Sequence, residues 1–258
     1  MTLHLKSKEF GKIHPKMVPL ARVEGGNDDK KIIYLDEHGN GETTEIVLSK
    51  GKIIVLPRLD KIEKIFISGV SGSGKSTWLS NWLKEYLKKD HKDEPVFVFS
   101  SVSNDAAIDK FDNVERIDCN ESLLEEPVDP EDLVDCVVVM DDTDSILNRK
   151  VNKYVADLRD NILERGRHTR TRMLCTSHIL SNYKATRKLL NEATTTVVFP
   201  KSGQTFLIRS FLEKYCGLNK IQIKKFFGLK SRYVSITRQY CPYVMYEKGV
   251  YLLNTSDE

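Results

Sequence analysis

Residues Gly69-Val-Ser-Gly-Ser-Gly-Lys-Ser76 constrain this chain more than any other stretch. They fill the pattern G-x-x-x-x-G-K-[ST], and the flanks have the matching character. Ile65-Phe-Ile-Ser before them reads as a strand, and Thr77-Trp-Leu-Ser-Asn-Trp-Leu after them reads as a helix. Glycines let backbone N–H groups curl around phosphate oxygens, and the helix N-terminus adds positive potential. The pattern therefore assigns Gly69, Val70, Ser71, Gly72, Ser73, Gly74, Lys75, Ser76 and Thr77 to a nucleotide such as ATP. Lys75 would reach the β- and γ-phosphates, and the Ser76 hydroxyl would bind Mg²⁺. A plain Gly/Ser turn requires neither the lysine nor the hydroxyl.

From Lys64 onward, strand-like and helix-like segments alternate. Strands are expected at Lys64–Ser68, Pro95–Ser100, Cys136–Met140, Met173–Ser177 and Thr195–Phe199, and helices at Ser76–Lys89, Asn148–Arg165 and Thr205–Cys216. Apolar strands alternating with helices predict an α/β fold with a parallel sheet covered on both faces. The first sixty residues read as β structure. Lys31–Asp36 and Thr44–Leu48 flank a turn-rich segment, and Lys50-Gly51 suggests a second hairpin between Glu45–Leu48 and Lys52–Leu56. Past Cys216 come a basic helix near Asn219–Phe227 and a Tyr-rich hairpin turning near Glu247–Gly249. The expected organisation is a β-rich region at 1–60, a nucleotide-binding core at 61–202 and a basic extension at 203–258.

Leu133–Met140 is an apolar strand that delivers Asp141 and Asp142 at its C-terminal tip. Asp141 suits the carboxylate that holds Mg²⁺ through water, and Asp142 could polarise an attacking water. The alternative is two acids capping a turn near Asp144. A further strand, Met173–Ser177, ends in Thr176-Ser177-His178; in translocating ATPases such a strand inserts between the loop strand and the acid-bearing strand. His178 or Ser177 would then sense the γ-phosphate, unless His178 is an ordinary surface or capping histidine. Just upstream, Arg165, Arg167 and His168 surround Gly166. An arginine offered across a subunit boundary can neutralise a transferring phosphoryl group, although a basic helix C-terminus would also account for Arg165.

The formal net charge of +3 conceals segregation. Acidic residues outnumber basic ones 29 to 19 over residues 1–145, and basic residues lead 21 to 8 from 146 to 258. Such asymmetry points toward a polyanion. In the basic part Lys214, Lys220, Lys224, Lys225, Lys230, Arg232 and Arg238 interleave with Phe226, Phe227, Tyr233 and Tyr240. The aromatics are expected mostly in a small core and the basic groups mostly on DNA phosphates, where contact is independent of base sequence. The 5 cysteines have no metal-ligand spacing, so a reducing compartment is expected. The N-terminus lacks a signal-peptide stretch and no apolar run suits a bilayer, which predicts a soluble, non-secreted chain.

From about Ile65 to Lys201 these blocks resemble the poxvirus-type DNA-packaging ATPases of the FtsK–HerA superfamily. The resemblance lies in the Gly-Ser-Gly-Lys-Ser loop, Asp141-Asp142, Gly166-Arg-His, the strand Met173-Leu-Cys-Thr-Ser, and Arg187 ahead of Thr195-Val-Val-Phe. His178 departs from the glutamine usual at the sensor position. The resemblance implies a P-loop NTPase sheet of order 5-1-4-3-2, ATP and Mg²⁺, a homo-oligomeric ring, and movement of double-stranded DNA into a preformed capsid. Capsid or portal-vertex partners and a host-cytoplasmic or viral-factory location follow from it. Two rival expectations stand beside it. One is a small-molecule or nucleotide kinase, which would place its acid-bearing strand next to the loop strand. The other is a non-catalytic, nucleotide-gated DNA-binding assembly protein.

Overall fold

A computed structural model describes residues 1–182, 185–239 and 241–253. The N-terminal part contains β1 (Thr2–Lys6), the one-turn α1 (Phe10–Ile13), β2 (Val18–Glu24), β3 (Ile32–Asp36), β4 (Glu45–Val47) and β5 (Lys52–Val55). The core follows with β6 (Lys64–Ser68), α2 (Lys75–Tyr86), β7 (Val96–Ser100), β8 (Val114–Asp118), α3 (Ser122–Glu125) and β9 (Val137–Asp141). It continues through α4 (Arg149–Arg165), β10 (Arg172–Ser177), α5 (Arg187–Glu192) and β11 (Thr195–Val198). The chain closes with α6 (Thr205–Lys214), α7 (Lys220–Gly228), β12 (Val234–Thr237), β13 (Tyr243–Tyr246) and β14 (Gly249–Leu252).

One large sheet has the order β4-β14-β13-β12-β11-β6-β10-β9-β7-β8. Its segment from β11 to β8 is parallel. Numbering β6, β7, β9, β10 and β11 from one to five gives 5-1-4-3-2, the expected P-loop order. β10 stands between β6 and β9, which is not the neighbour relation a kinase of this class would have. Every residue of β6, β9 and β10 is buried, as parallel strands covered on both sides require. Alternation then divides the side chains between two layers. Ile65, Ile67, Val137 and Val139 pack with Trp78, Trp82 and Leu83 of α2. Phe66, Val138 and Met140 pack with the layer holding Leu158 of α4, Phe211 of α6 and Phe226 of α7.

A second, antiparallel sheet has the order β1-β3-β2-β5. Its Leu20, Ile33 and Leu35 share a core with Met245, Val250 and Leu252 of the last hairpin. The expected hairpin around Lys50-Gly51 does not form. β4 pairs with β14, matching Ile46 to Val250, while β5 pairs with β2, matching Ile53 to Val23. Gly51, at φ +82°, lies where a Cβ would overlap the Gly25 carbonyl. The turn thus hands the chain from one sheet to the other instead of folding it back on itself. β1 and β2 had no counterpart in the sequence reading. β2 contains Pro19 and a register shift between Pro19 and Ala21, the kind of interruption that blurs a strand pattern. Strand β12 is likewise additional to the predicted hairpin.

Segments distant in sequence therefore share ladders, and Gly249 is one junction. A Cβ there would penetrate the Ile46 carbonyl oxygen on the facing strand. Gly249→Ala should lower stability by about 1–3 kcal/mol, read as a reduced urea midpoint. The loss should come with faster amide exchange in β4 and β14 than in β6.

Candidate nucleotide site

The phosphate loop joins β6 to α2, and its geometry is set by what little room it has. At Gly69 a Cβ would come within 2.5 Å of Ser73 Oγ and 2.7 Å of Phe199 Cδ2. Gly74, the residue before α2, has φ +110°, a conformation that suits glycine. The Trp78 N–H bonds to the Gly74 carbonyl at 2.9 Å. The N–H groups of Lys75, Ser76 and Thr77 therefore precede the first intrahelical donor and remain available to an anion. Ser73 Oγ is buried without a hydrogen-bond partner. A cradle of free donors with an orphaned hydroxyl fits a polyphosphate.

Lys75 is buried and converges with Asp142 and His178. Its Nζ donates to the Gly69 carbonyl at 3.1 Å, lies 3.2 Å from His178 Nδ1 and stands 3.5 Å from Asp142 Oδ1. His178 Nε2 is 3.0 Å from Asp142 Oδ2. The Nε2–H tautomer satisfies both contacts, because Nδ1 can accept from the ammonium while Nε2–H donates to the carboxylate. His178 thus joins the constellation. The other sensor candidate, Ser177, donates to Asp144 Oδ2 at 2.8 Å and accepts the Ile179 N–H at 3.0 Å.

Thr176 was missed in its own right, although it stood in the polar strand tip. Its hydroxyl lies 2.9 Å from Asp141 Oδ1 and 3.0 Å from Asp142 Oδ1, and it accepts the Asp142 N–H at 2.8 Å. Both acids are held by one side chain on the neighbouring strand. Asp142 adopts φ 46°, ψ 37°, a left-handed conformation that Asp tolerates better than most residues. The turn this produces carries its carboxylate to Lys75. The available signal was a hydroxyl ending an otherwise apolar buried strand, paired in register with the acids.

Burial raises the Asp141 carboxyl pKa above its ordinary value; the Thr176 hydrogen bond opposes this and the nearby Asp142 charge adds to it. No group of three or more His, Cys, Asp or Glu able to cage a metal occurs among the described residues. One hydroxyl at Ser76 and one carboxylate at Asp141 suit a magnesium ion delivered with phosphates, which keeps several waters.

Arg165 and Arg167 are not brought to this site. Helix α4 runs from the acid-bearing tip of β9 back to the start of β10, so its C-terminus lies at the opposite end of the sheet from the loop. Both arginines are exposed, and Arg165 lies 3.7 Å from the exposed Glu131 carboxylate. Arg167 borders a cleft of about 290 Å³ together with Arg58 and Glu63.

Within the C-terminal basic set, Lys214, Lys220, Lys224, Lys230 and Arg232 are exposed. Two members have internal work instead. Arg238 donates to the carbonyls of Leu190 and Ala193 at 2.5 and 2.8 Å, at the C-terminus of α5. Lys225 pairs with Glu45 at 2.9 Å and lies over the Tyr251 ring. Phe226 is fully buried, Phe227 and Tyr233 are half-buried, and Tyr240 lies outside the described residues.

Because burial raises the folded pKa of Asp141, its ionisation opposes folding. Its protonated form stabilises the fold at low pH, and that contribution is lost as pH rises through the raised value. Asp141→Asn should therefore raise the thermal midpoint at pH 7.5, with the gain vanishing below about pH 4. A midpoint difference independent of pH would contradict this assignment.

No protein-family model matches the chain. It is 34% identical over 241 residues to the uncharacterised protein V3 of Sputnik virophage, covering 90% of this chain and 94% of V3. Its fold is similar to that of the DNA-packaging ATPase B204 from Sulfolobus turreted icosahedral virus, with a TM-score of 0.53 and 15% identity over 74% of this chain and 98% of B204. It is also similar to the pCW3 conjugation coupling protein TcpA, solved with ATPγS, with a TM-score of 0.52 and 12% identity over 96% and 80% of the two chains. A loop, paired acids and inserted strand thus stand on a fold shared with B204 and TcpA, and the chain belongs to the family of the Sputnik virophage protein V3.

Proposed function

We propose that this protein is an Mg²⁺-dependent ATPase that drives double-stranded DNA, independently of sequence, into a preformed viral capsid. The observation that carries the reading is the insertion of β10, whose Thr176 holds Asp141 and Asp142 while His178 joins Lys75. The virophage relative and the fold shared with B204 support a viral packaging context. ATP phosphates would lie along Gly69–Thr77. Mg²⁺ would be held by Ser76 and Asp141 and would neutralise charge on the β- and γ-phosphates.

The contacts of Lys75 suggest how binding and chemistry are linked. Its ammonium, tied to Gly69, His178 and Asp142, would exchange these partners for phosphate oxygens. Asp142, still fixed by Thr176, would then be free to accept a proton from an attacking water. His178 would report on the γ-phosphate from the same place. Arg165 or Arg167, remote from the loop of its own subunit, would serve the site of a neighbour in a ring. The exposed lysines of α7 would follow DNA phosphates, and a capsid or portal-vertex protein would receive the ring. Action in the host cytoplasm or viral factory accords with the chain, none of whose described helices is long and apolar enough to cross a membrane.

The discriminating experiment is ATP turnover with and without double-stranded DNA. A packaging motor should hydrolyse ATP and be stimulated by DNA; turnover without stimulation favours a DNA-independent enzyme, and no turnover favours a nucleotide-gated assembly protein. Asp142→Asn should reduce turnover about 10²-fold or more while ATP still binds. Unchanged turnover would remove Asp142 as the base. Mixing Lys75→Ala subunits with Arg165→Ala/Arg167→Ala subunits should restore partial activity, since one supplies the arginines and the other the loop. Absence of rescue would rule out action in trans.

A further inference from the structure

Beside the phosphate loop, on the side away from Asp141 and Asp142, lies a cleft of about 210 Å³. It is continuous with the loop, because Ser73, Gly74 and Thr77 belong to both. Its floor is Trp78 of α2, which meets Tyr233 edge-on with ring centroids 6.3 Å apart. Its far wall is β5, a strand from the N-terminal sheet. Three separate stretches of chain thus close around one space at the nucleotide-binding end of α2.

That closure is tied together at a single turn. The Arg232 N–H donates to Glu247 Oε2 at 2.8 Å, and the Ser231 hydroxyl accepts the Glu247 N–H at 3.0 Å. The Ile53 N–H donates to the Glu247 carbonyl at 2.9 Å. The turn between β13 and β14 therefore clamps both the segment carrying Tyr233 and the edge of β5. Along an antiparallel strand, N–H and C=O directions alternate. Leu56 N–H points to β2, bonding to Leu20 O, so Val55 presents its N–H and C=O on the same outer edge as Ile53. That edge offers a donor and an acceptor beside aromatic walls.

We infer that this cleft receives the base and ribose of the nucleoside triphosphate whose phosphates lie on the loop. The inference rests on the nucleotide-binding reading above and adds the location of the nucleoside. The space falls below the ~300–1,000 Å³ of pockets for drug-sized ligands, and its walls are mostly aromatic and aliphatic, which suits a flat heterocycle. Ser73 Oγ, buried without a partner, stands where the cleft meets the loop. Arg232, whose guanidinium nitrogen would lie 3.9 Å from a Cβ on Gly74, borders the path from phosphate to nucleoside. The N-terminal sheet and the last hairpin are thereby parts of the nucleotide site, and the affinity for ATP depends on both.

The test compares ATP with inorganic tripolyphosphate, which carries the charge without the nucleoside. Trp78 and Trp82 are the 2 tryptophans of the chain, and both line this cleft, so their emission reports on its contents. Saturating Mg·ATP should change that emission, and Mg·tripolyphosphate bound to the same loop should leave it nearly unaltered. Asn81→Phe, from an exposed position of α2 bordering the cleft, fills the space; Tyr233→Ala removes a wall. Each should weaken ATP binding at least about 10-fold by calorimetry and change tripolyphosphate affinity less than about twofold. Equal losses for both ligands, or ATP affinity unaffected by either variant, would overturn the assignment while leaving the loop as a phosphate site. If the unaltered protein binds neither ligand, the nucleotide-binding reading itself fails and this inference fails with it.

Discussion

Ladder hydrogen bonds hold β10 between β6 and β9, pairing Ser177 with Ser68 and Cys175 with Met140. This register brings the Thr176 hydroxyl to Asp141 and Asp142, Ser177 to Asp144, and His178 to Lys75. Side chains alternate along a strand, so a slip of one residue would turn Thr176 to the opposite face and put Cys175 or Ser177 in its place beside the acids. Burial of every residue of β10 makes such a slip costly, because both faces are committed to packing. The precision of the site is thus borrowed from the core, and the short loops above it inherit positions they could not fix alone.

Charge is partitioned by the same architecture. The acidic front of the chain supplies the loop and the paired acids Asp141 and Asp142, while the basic back supplies α7 and the arginines at and just past the end of α4. Two of the basic groups are structural. Arg238 satisfies carbonyls that α5 leaves without intrahelical donors, a need every helix C-terminus has. Lys225 joins α7 to β4 through Glu45. A count of lysines and arginines therefore overstates the charge available to a polyanion, and only the exposed subset is open to one.

The legible parts of the sequence were those where local pattern and global role coincide. β6 runs from Lys64 to Ser68 as its apolar run suggests, and β9, β10 and β11 lie within a residue of their expected limits, because buried parallel strands advertise themselves as continuous apolar runs. The phosphate loop was readable because each residue type in it answers a chemical demand. The N-terminal strands were harder. Glu45–Val47 and Lys52–Val55 look like two arms of a hairpin, yet the first has a better partner just over two hundred residues away and the second one about thirty residues away. Pairing at such distance leaves no local trace. Thr176 was hidden for a related reason: its importance lies in what its neighbouring strand carries, and Arg238 resembled any surface arginine until the carbonyls it satisfies came into view.

The two borders of the large sheet are built differently from its interior. At one end β4 has three residues, with Glu45 tied to Lys225. At the other β8 carries Glu115, Arg116 and Asp118, and Arg116 is bound to Asp109. Short, charged margins of this sort discourage sheet-to-sheet fusion. Were copies to gather side by side, they would have to recognise one another through side chains and loops, contacts that could shift and part without joining backbones into a common, irreversible ladder.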